Sequence, residues 1–375
     1  TEHKKYKNLI EVIYSFSIGG SERLAATLAR EFKGRGVNVS VCATHSAQGP
    51  ISKELDKEGI PYRGFGFETR SRLGKWLFPI QLYLYFKQQR AEVIHVQHVF
   101  VLQRCYWPAR LAGVKRLVLT EHSDYAFRTM PDYKQTSRKY GKRADKVTAI
   151  HKQLQQYLVD ELDIPFAKTQ IIYNSVDTEH FSPGIPQLNL RKQLGLEDGC
   201  VLLGWVGRMH AAKDLANLIN AYERVSEKAH LCHALVLVGD GDDRALAENL
   251  VRTKGLSERV FFLGERQDVP DLMRNFSIYV SSSKTEGVPL VILEAMSTGL
   301  PCVATEVGGI AEVVKKGTGW LVPPKDPQAL ANSVIQLIEN SVFRSQASIQ
   351  ARDYVTSNFQ FESMVDAYEE ALRIA

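Results

Sequence analysis

Apolar residues along this chain follow two alternating rhythms. Short runs of β-branched and aliphatic residues are separated by segments whose apolar positions recur every three to four residues. The run Ile10–Tyr14 predicts a strand. After Ser15-Phe16-Ser17-Ile18-Gly19-Gly20 a helix is expected from about Ser21, with Leu24, Ala25, Leu28, Ala29 and Phe32 on one face. Val37–Ala43, Val93–Val96, Leu117–Thr120, Val147–Ile150 and Gln170–Ile172 continue the strand series, with helical patterns between them. The stretch Ser182-Pro183-Gly184-Ile185-Pro186-Gln187 breaks the rhythm. A second series follows, with strands predicted at Val201–Val206, Ala234–Val238, Val260–Leu263, Ile278–Ser281 and Cys302–Thr305. Its helices are predicted at Asp214–Lys228, Asp243–Thr253, Leu290–Thr298 and Pro327–Asn340. Strand–helix alternation of this kind predicts parallel sheets covered by helices. The expected architecture is therefore α/β, with two Rossmann-like domains over residues 1–181 and 182–360. A last amphipathic helix at about 361–375 is expected to pack back on the first domain.

Composition agrees with two cores rather than one. A chain of 375 residues exceeds a single comfortable domain, and 44% apolar with 24% charged residues excludes a disordered chain. The five cysteines form no Cys-x-x-Cys pair and are odd in number, as expected of reduced core residues in a cytoplasmic protein. No secretory core follows the polar first residues, and no apolar run approaches the ~20 residues of a membrane span.

Charge changes the picture more. Residues 1–180 carry 28 Lys and Arg against 18 Asp and Glu, whereas residues 181–375 carry 19 against 24. A basic half beside an acidic half suggests that the first faces an anionic partner. Nucleic acid, anionic lipid and phosphorylated substrates all fit that description, although no nucleic-acid-reading motif is present and none is expected as a partner. In Arg70-Ser71-Arg72-Leu73-Gly74-Lys75-Trp76-Leu77-Phe78 basic and aromatic residues mix as in interfacial helices, and Lys134–Lys146 is a second basic run. The other reading is a solvated helix whose Trp and Phe belong to the core. The expected location is cytoplasmic, peripheral on the inner face of a membrane.

Five stretches carry candidate chemistry. In Lys284-Thr285-Glu286-Gly287-Val288-Pro289-Leu290-Val291-Ile292-Leu293-Glu294, Pro289 suits the first position of a helix. Gly287 permits close approach of the preceding loop, and the free amides of the first turn suit an anion. Glu294 interrupts an otherwise apolar helix, so it is expected either to meet the hydroxyls of a bound polyol or to pair within the protein. In Val206-Gly207-Arg208 a strand ends where ligands bind in parallel sheets, and Lys213 follows near a helix start, where a cation is unfavourable without an anion nearby. Arg208 and Lys213 could hold a diphosphate or be two solvated surface charges. Gly19 and Gly20 follow the first strand as a phosphate-approaching loop or a tight turn. His122, in Thr120-Glu121-His122-Ser123, lies at a strand end as either a sugar contact or a structural residue. Gly239-Asp240-Gly241-Asp242-Asp243 has Asp-x-Asp spacing that invites a divalent metal, but a strand-end turn with Asp243 at a helix start explains it without one.

The order and spacing of these elements resemble glycosyltransferase family 4, retaining enzymes of the GT-B fold, in which two Rossmann-like domains face each other across a cleft. The family's Glu-x7-Glu element matches Glu286 and Glu294, and its Val-Gly-Arg…Lys element matches Gly207, Arg208 and Lys213. Asn174-Ser175-Val176-Asp177, Gly308-Gly309-Ile310-Ala311-Glu312 and Val238–Gly241 match further family segments, with Ser175 where the family usually has Gly. His151 stands where a Ser often occurs, a departure expected to affect the acceptor side. The resemblance implies that Arg208 and Lys213 neutralise a nucleotide diphosphate in place of a metal, and that Glu294 holds the ribose. It implies that Glu286 and the amides at Gly287, Val288 and Leu290 contact sugar and phosphate. His122 would lie beside the reacting sugar, and Gly19 and Gly20 would line the cleft. The implied reaction moves a hexose-type sugar from a UDP-sugar or other NDP-sugar to a glycan or lipid-linked acceptor, with retention and no metal cofactor. The expected setting is cell-surface polysaccharide or glycolipid synthesis. A sugar-nucleotide epimerase of similar architecture and a non-catalytic partner subunit are the alternatives.

Overall fold

A computed structural model of the chain describes residues 6–17, 19–122, 127 and 130–374. Ile18 of the glycine loop, Ser123 after His122, and the first five residues lie outside the described residues. Thirteen strands form two sheets among the described residues. The first contains β1 (Asn8–Ile13), β2 (Asn38–Ala43), β3 (Tyr62–Gly64), β4 (Val93–Gln97), β5 (Arg116–Glu121), β6 (Lys146–Ala149) and β7 (Thr169–Ile171), in the order β3-β2-β1-β4-β5-β6-β7. The second contains β8 (Val201–Val206), β9 (His233–Val238), β10 (Val260–Gly264), β11 (Ile278–Ser281), β12 (Cys302–Thr305) and β13 (Gly319–Val322), in the order β10-β9-β8-β11-β12-β13. The pairings are parallel throughout both sheets.

Helices cover both faces of such sheets, so the central strands are buried on both sides and read as unbroken apolar runs. β9 is buried along its whole length. β3 and β13 escape the sequence pattern because they are short edge strands, half exposed, with glycine at one end. In each sheet the first strand sits centrally, with the second strand on one side and the fourth on the other. Chain direction over the sheet therefore reverses between β1 and β4, and again between β8 and β11. Loops leaving the carboxyl ends of those pairs diverge and open a crevice there. These two places position everything that follows.

The chain divides into two compact units: residues through Tyr173 together with those from Glu362 on, and Asn174–Phe361. The segment Asn174–Phe181, expected at the end of the first domain, thus belongs to the second unit. Asn174 Nδ2 donates to the Val288 carbonyl at 3.3 Å, and the Phe181 carbonyl accepts from Ser297 Oγ at 2.6 Å. The last helix, Phe361–Leu372, lies against the first unit. There Arg35 bonds Glu362, Asp366 and Glu369 at 3.0, 2.6 and 2.6 Å, and Tyr368 is buried beside His95.

Two further helices bear on the sequence reading. Arg72–Gln88 buries Phe78, Leu82, Tyr85 and Phe86, but Trp76 is 73% exposed. Phe78 is therefore core and Trp76 is not. Ser341–Asn358 was not expected, because its buried stripe is only Ala347, Ala351 and Val355, too small to register as an apolar period. Of the five cysteines four are buried, and Cys232 is exposed.

Candidate active site

In the second unit the loops after β8 and β11 meet at the chain reversal. β8 ends at Val206 and the chain runs through Gly207 and an exposed Arg208 into a short 3-10 turn, Ala211–Lys213. The helix Leu215–Lys228 begins only after Asp214, whose carboxylate caps it by accepting from Asn217 N. Lys213 thus immediately precedes that helix rather than lying in its first turn, but an ammonium directed at the positive helix end would still be unfavourable there. Its ammonium instead pairs with Glu286 Oε1 at 2.5 Å, and the same oxygen accepts from Ser283 Oγ at 2.6 Å. The anion that the sequence asked for is Glu286 itself.

The two loops are tied together by more than this pair. Lys284 N donates to the Ala212 carbonyl at 2.7 Å, and Ser282 Oγ donates to the Lys213 and Asp214 carbonyls at 2.9 and 3.0 Å. Lys284 Nζ lies 3.2 Å from Asp214 Oδ1. From behind, Gly309 N donates to the Gly287 carbonyl at 2.8 Å. Gly308, at φ +54°, lies so close to the Glu286 carbonyl that a side chain there would collide with it. Gly239, at φ +127°, approaches the Gly207 carbonyl in the same way. These glycines therefore serve close packing of one strand-end loop on the next.

The helix after Glu286 spans Leu290–Ser297. Pro289, expected at its first position, is one residue earlier, at the cap, with extended ψ of 121°. The segment Gly287, Val288, Leu290 leads into the first turn, where the backbone amides have no partner within the helix. Glu294 is half-buried on this helix. In the Asp-x-Asp stretch, Asp240 accepts from Gly241 N at 2.7 Å and from Arg244 Nη1 at 2.9 Å, and Asp243 sits at the cap of Arg244–Thr253. Hydrogen bonding to Gly241 N and to Arg244 holds the Asp240 carboxyl below its usual range. Among the described residues no group of three or more His, Cys, Asp or Glu is placed to hold a metal ion.

In the first unit the corresponding edge carries Gly19, Gly20, His98 and His122. Gly19 caps the helix Gly20–Gly34, whose first turn holds the buried Glu22. His122 follows β5, and its Nε2 lies 2.7 Å from Gln97 Oε1. An amide oxygen only accepts, so that bond assigns the proton to Nε2 and leaves Nδ1 with its lone pair. Burial, then the neighbouring His98 and His95, push His122 well below the usual histidine range. It is a neutral hydrogen-bonding group and not a cation. Burial works against a charge on His98, but the hydrogen bond and charge of Glu121 outweigh it and hold His98 above its usual value.

Sequence reasoning missed the polar chain that fixes His122. Gln97 Nε2 lies 3.4 Å from Glu11 Oε2, His95 Nδ1 lies 3.0 Å from Glu11 Oε1, and His95 Nε2 lies 2.7 Å from Thr120 Oγ1. Glu11, His95 and Gln97 are fully buried in β1 and β4. The signal was available: charged and amide side chains inside strands that are otherwise continuously apolar demand partners. His151, expected to affect the acceptor side, is buried and caps Lys152–Asp160 through Leu154 N at 3.2 Å.

Comparison with known proteins bears directly on this arrangement. Residues 18–180 match the family model described as Glycosyltransferase Family 4, and residues 200–340 match the model described as Glycosyl transferases group 1. The N-acetyl-alpha-D-glucosaminyl L-malate synthase of Bacillus anthracis is 28% identical over 289 residues, covering 76% of this chain and 74% of that protein. The UDP-Gal:alpha-D-GlcNAc-diphosphoundecaprenol alpha-1,3-galactosyltransferase of Escherichia coli is 28% identical over 303 residues, covering 78% and 77%. The crystal structure of Anabaena HepE in complex with UDP shares the fold, with a TM-score of 0.86 at 23% identity over 97% of this chain and 99% of that one.

Proposed function

The chain belongs to glycosyltransferase family 4, nucleotide-sugar-dependent enzymes of the GT-B fold, and on that premise we propose that it transfers a hexose-type sugar with retention and without a metal. The donor is a UDP-sugar or another NDP-sugar, and the acceptor is a glycan or lipid-linked saccharide of cell-surface polysaccharide or glycolipid synthesis. The single observation that carries this reading is the meeting of Lys213 and Glu286 at the β8/β11 reversal, 2.5 Å apart.

Breaking the glycosidic bond leaves negative charge on the departing diphosphate. Preorganised cations and amides aimed at that charge lower the barrier most. Arg208 and Lys213 are the cations, and the amides of Gly287, Val288 and Leu290 are the dipoles. Glu294 takes the ribose hydroxyls and Glu286 the transferred sugar, so Lys213 links the sugar-side carboxylate to the leaving group. No second carboxylate is assigned to the sugar, because Asp214 already caps a helix and pairs with Lys284. A double displacement therefore lacks its nucleophile. The acceptor hydroxyl attacks on the face the diphosphate leaves, and its proton passes to a diphosphate oxygen. His122, neutral with its Nδ1 lone pair available, accepts a hydrogen bond from a sugar hydroxyl. Gly19 and Gly20 line the approach on the first unit. Asp240, engaged by Gly241 and Arg244, is left to its turn, and metal is assigned no part in turnover.

A nucleotide-sugar panel with chelator present, followed by proton NMR of the product, tests the reading. Turnover that survives chelation and an α-linked product from an α-linked donor are expected. An inverted anomer contradicts the mechanism, and activity lost to chelator and restored by magnesium or manganese contradicts metal independence.

No helix among the described residues is long and apolar enough to cross a membrane. For its location we propose a cytoplasmic place, peripheral on the inner face of a membrane, with the exposed Trp76 and Trp107 as the side chains that would meet lipid.

A further inference from the structure

The first unit holds a cavity of about 580 Å3 over the carboxyl edge of its sheet, walled by residues that follow β1, β2, β3, β4 and β5. Two clusters line it. Glu22 and His98 belong to the glycine-loop side, where the His98 and His122 rings lie 4.9 Å apart. The other cluster is Tyr14, His45, Phe67, Glu68, Lys75 and Arg104. Tyr14 stacks on His45 at 3.9 Å, and the guanidinium carbon of Arg104 lies 3.8 Å over the centre of the Phe67 ring. Lys75 Nζ lies 5.5 Å from the centre of that same ring.

Two cations, Arg104 and Lys75, and two carboxylates, Glu22 and Glu68, face this cavity. Among the described residues neither Arg104 nor Lys75 has an ion-pair partner, and Arg104 Nε is buried without a hydrogen-bond partner. The charge of Glu68 favours the Arg104 cation, but its Oε1 accepts from the Tyr14 hydroxyl at 2.7 Å and it forms no ion pair with Arg104. His45 adds no charge, since burial and then Arg104 hold it down at about 4. Several other cations of the first unit are paired: Arg110 holds Asp145, Lys134 holds Glu161 and Arg35 holds three carboxylates. Stacking on an aromatic face fixes the plane of Arg104 without using its N–H donors. A fixed, unpaired guanidinium fork on a cavity wall suits a planar or tetrahedral oxyanion. A neutral ligand would cover both cations and supply no countercharge.

We propose that this cavity seats the acceptor through an anionic group, a phosphate or a carboxylate, held by Arg104 and Lys75, with Tyr14 and Phe67 packed on its carbon skeleton. The inference rests on the glycosyltransferase reading and adds to it the chemical class of the acceptor.

The test uses the full chain saturated with UDP, so that added anions do not compete for the nucleotide site. Phenyl phosphate, phenylacetate and benzyl alcohol are titrated by calorimetry, one ring with a phosphate, a carboxylate or a neutral head. At least one anion is expected to bind about tenfold more tightly than benzyl alcohol, and the tighter anion identifies the group. Arg104→Gln is expected to weaken that anion about tenfold or more, Lys75→Gln to weaken it less, and Arg104→Lys to keep part of the affinity. Each variant's circular dichroism and thermal unfolding without ligand report its folding, and Arg104→Lys replaces Arg104→Gln if the latter is unfolded. Equal binding of all three compounds, no anion binding, or unchanged affinity in the Arg104 variants overturns the inference. Wild-type protein that fails to respond to UDP or any other nucleoside diphosphate overturns the glycosyltransferase reading as well. UDP binding without an anion preference overturns the acceptor class alone.

Discussion

Lys213 and Glu286 hold the centre of the account at the scale of single residues. Their side chains are 25% and 11% exposed, so the pair is partly desolvated, and its break leaves a charge poorly compensated. A diphosphate arriving at Lys213 meets a cation already shared with a carboxylate. Two outcomes follow from the signs of the charges. Lys213→Ala should cut turnover by about 10²-fold or more, the loss expected for one transition-state donor, and steady-state rates on the best donor check it. Glu286→Gln should bind UDP as tightly as wild type or more tightly, because a negative charge beside the diphosphate is gone, while turnover falls. Weaker UDP binding in Glu286→Gln would remove Glu286 from the sugar side. Glu294→Ala should mainly weaken nucleotide binding, read as a raised Kd for UDP. The sequence placed Arg208, Lys213, Glu286 and Glu294 on loops and helices at the right strand ends, because motif spacing and strand ends are local properties. It could not show that Lys213 and Glu286, 73 positions apart, touch. That contact depends on β8 and β11 being neighbours, which is a matter of sheet order.

At the scale of elements, the helix Arg72–Gln88 and the helix Val99–Leu111 carry six exposed apolar side chains of the first unit. Trp76, Leu73, Ile80 and Leu84 on one, and Trp107 and Leu111 on the other, are 49–73% exposed. A groove of about 420 Å3 between them is lined by Pro79, Ile80, Tyr83, Trp107, Pro108 and Leu111. The second basic run contributes less than its composition suggested, since Lys134 pairs with Glu161 and Lys142 with Asp163. Sedimentation with anionic and neutral liposomes should show preferential binding to the anionic ones, weakened in Trp76→Ala/Trp107→Ala. Equal binding to both, or none, ends the membrane proposal. The same helix shows where the pattern of the sequence stops being readable. Its apolar residues lie on more than one face, so periodicity alone could not say that Phe78 is core and Trp76 exposed. The edge strand β3 and the helix Ser341–Asn358 were missed for the opposite reason, having too few large apolar residues on one face, and β13 was missed because its four residues are too short a run.

At the scale of the whole molecule, the buried histidines give stability a definite dependence on pH. Burial, then a nearby arginine, holds His45 in the first unit and His233 in the second at about 4. Both are neutral when folded and become protonated near pH 6.5 when unfolded. Their contribution is present above about pH 6.5 and is lost as pH falls toward 4, by up to about 1.4 kcal/mol per pH unit for each. Urea unfolding at pH 7 and pH 5 should show a larger loss in wild type than in His45→Gln/His233→Gln, and an equal loss would contradict these assignments. The central claim, however, is that a nucleotide diphosphate is held in the second unit by Arg208 and Lys213 without a metal. Calorimetric titration of UDP in chelator, on wild type and on Arg208→Ala/Lys213→Ala, tests it most directly. The account predicts binding by wild type and a loss of about tenfold to a hundredfold in the double variant, the range expected for hydrogen bonds to a charged group. Equal affinity in the two proteins, or wild-type binding that requires added magnesium, would contradict it.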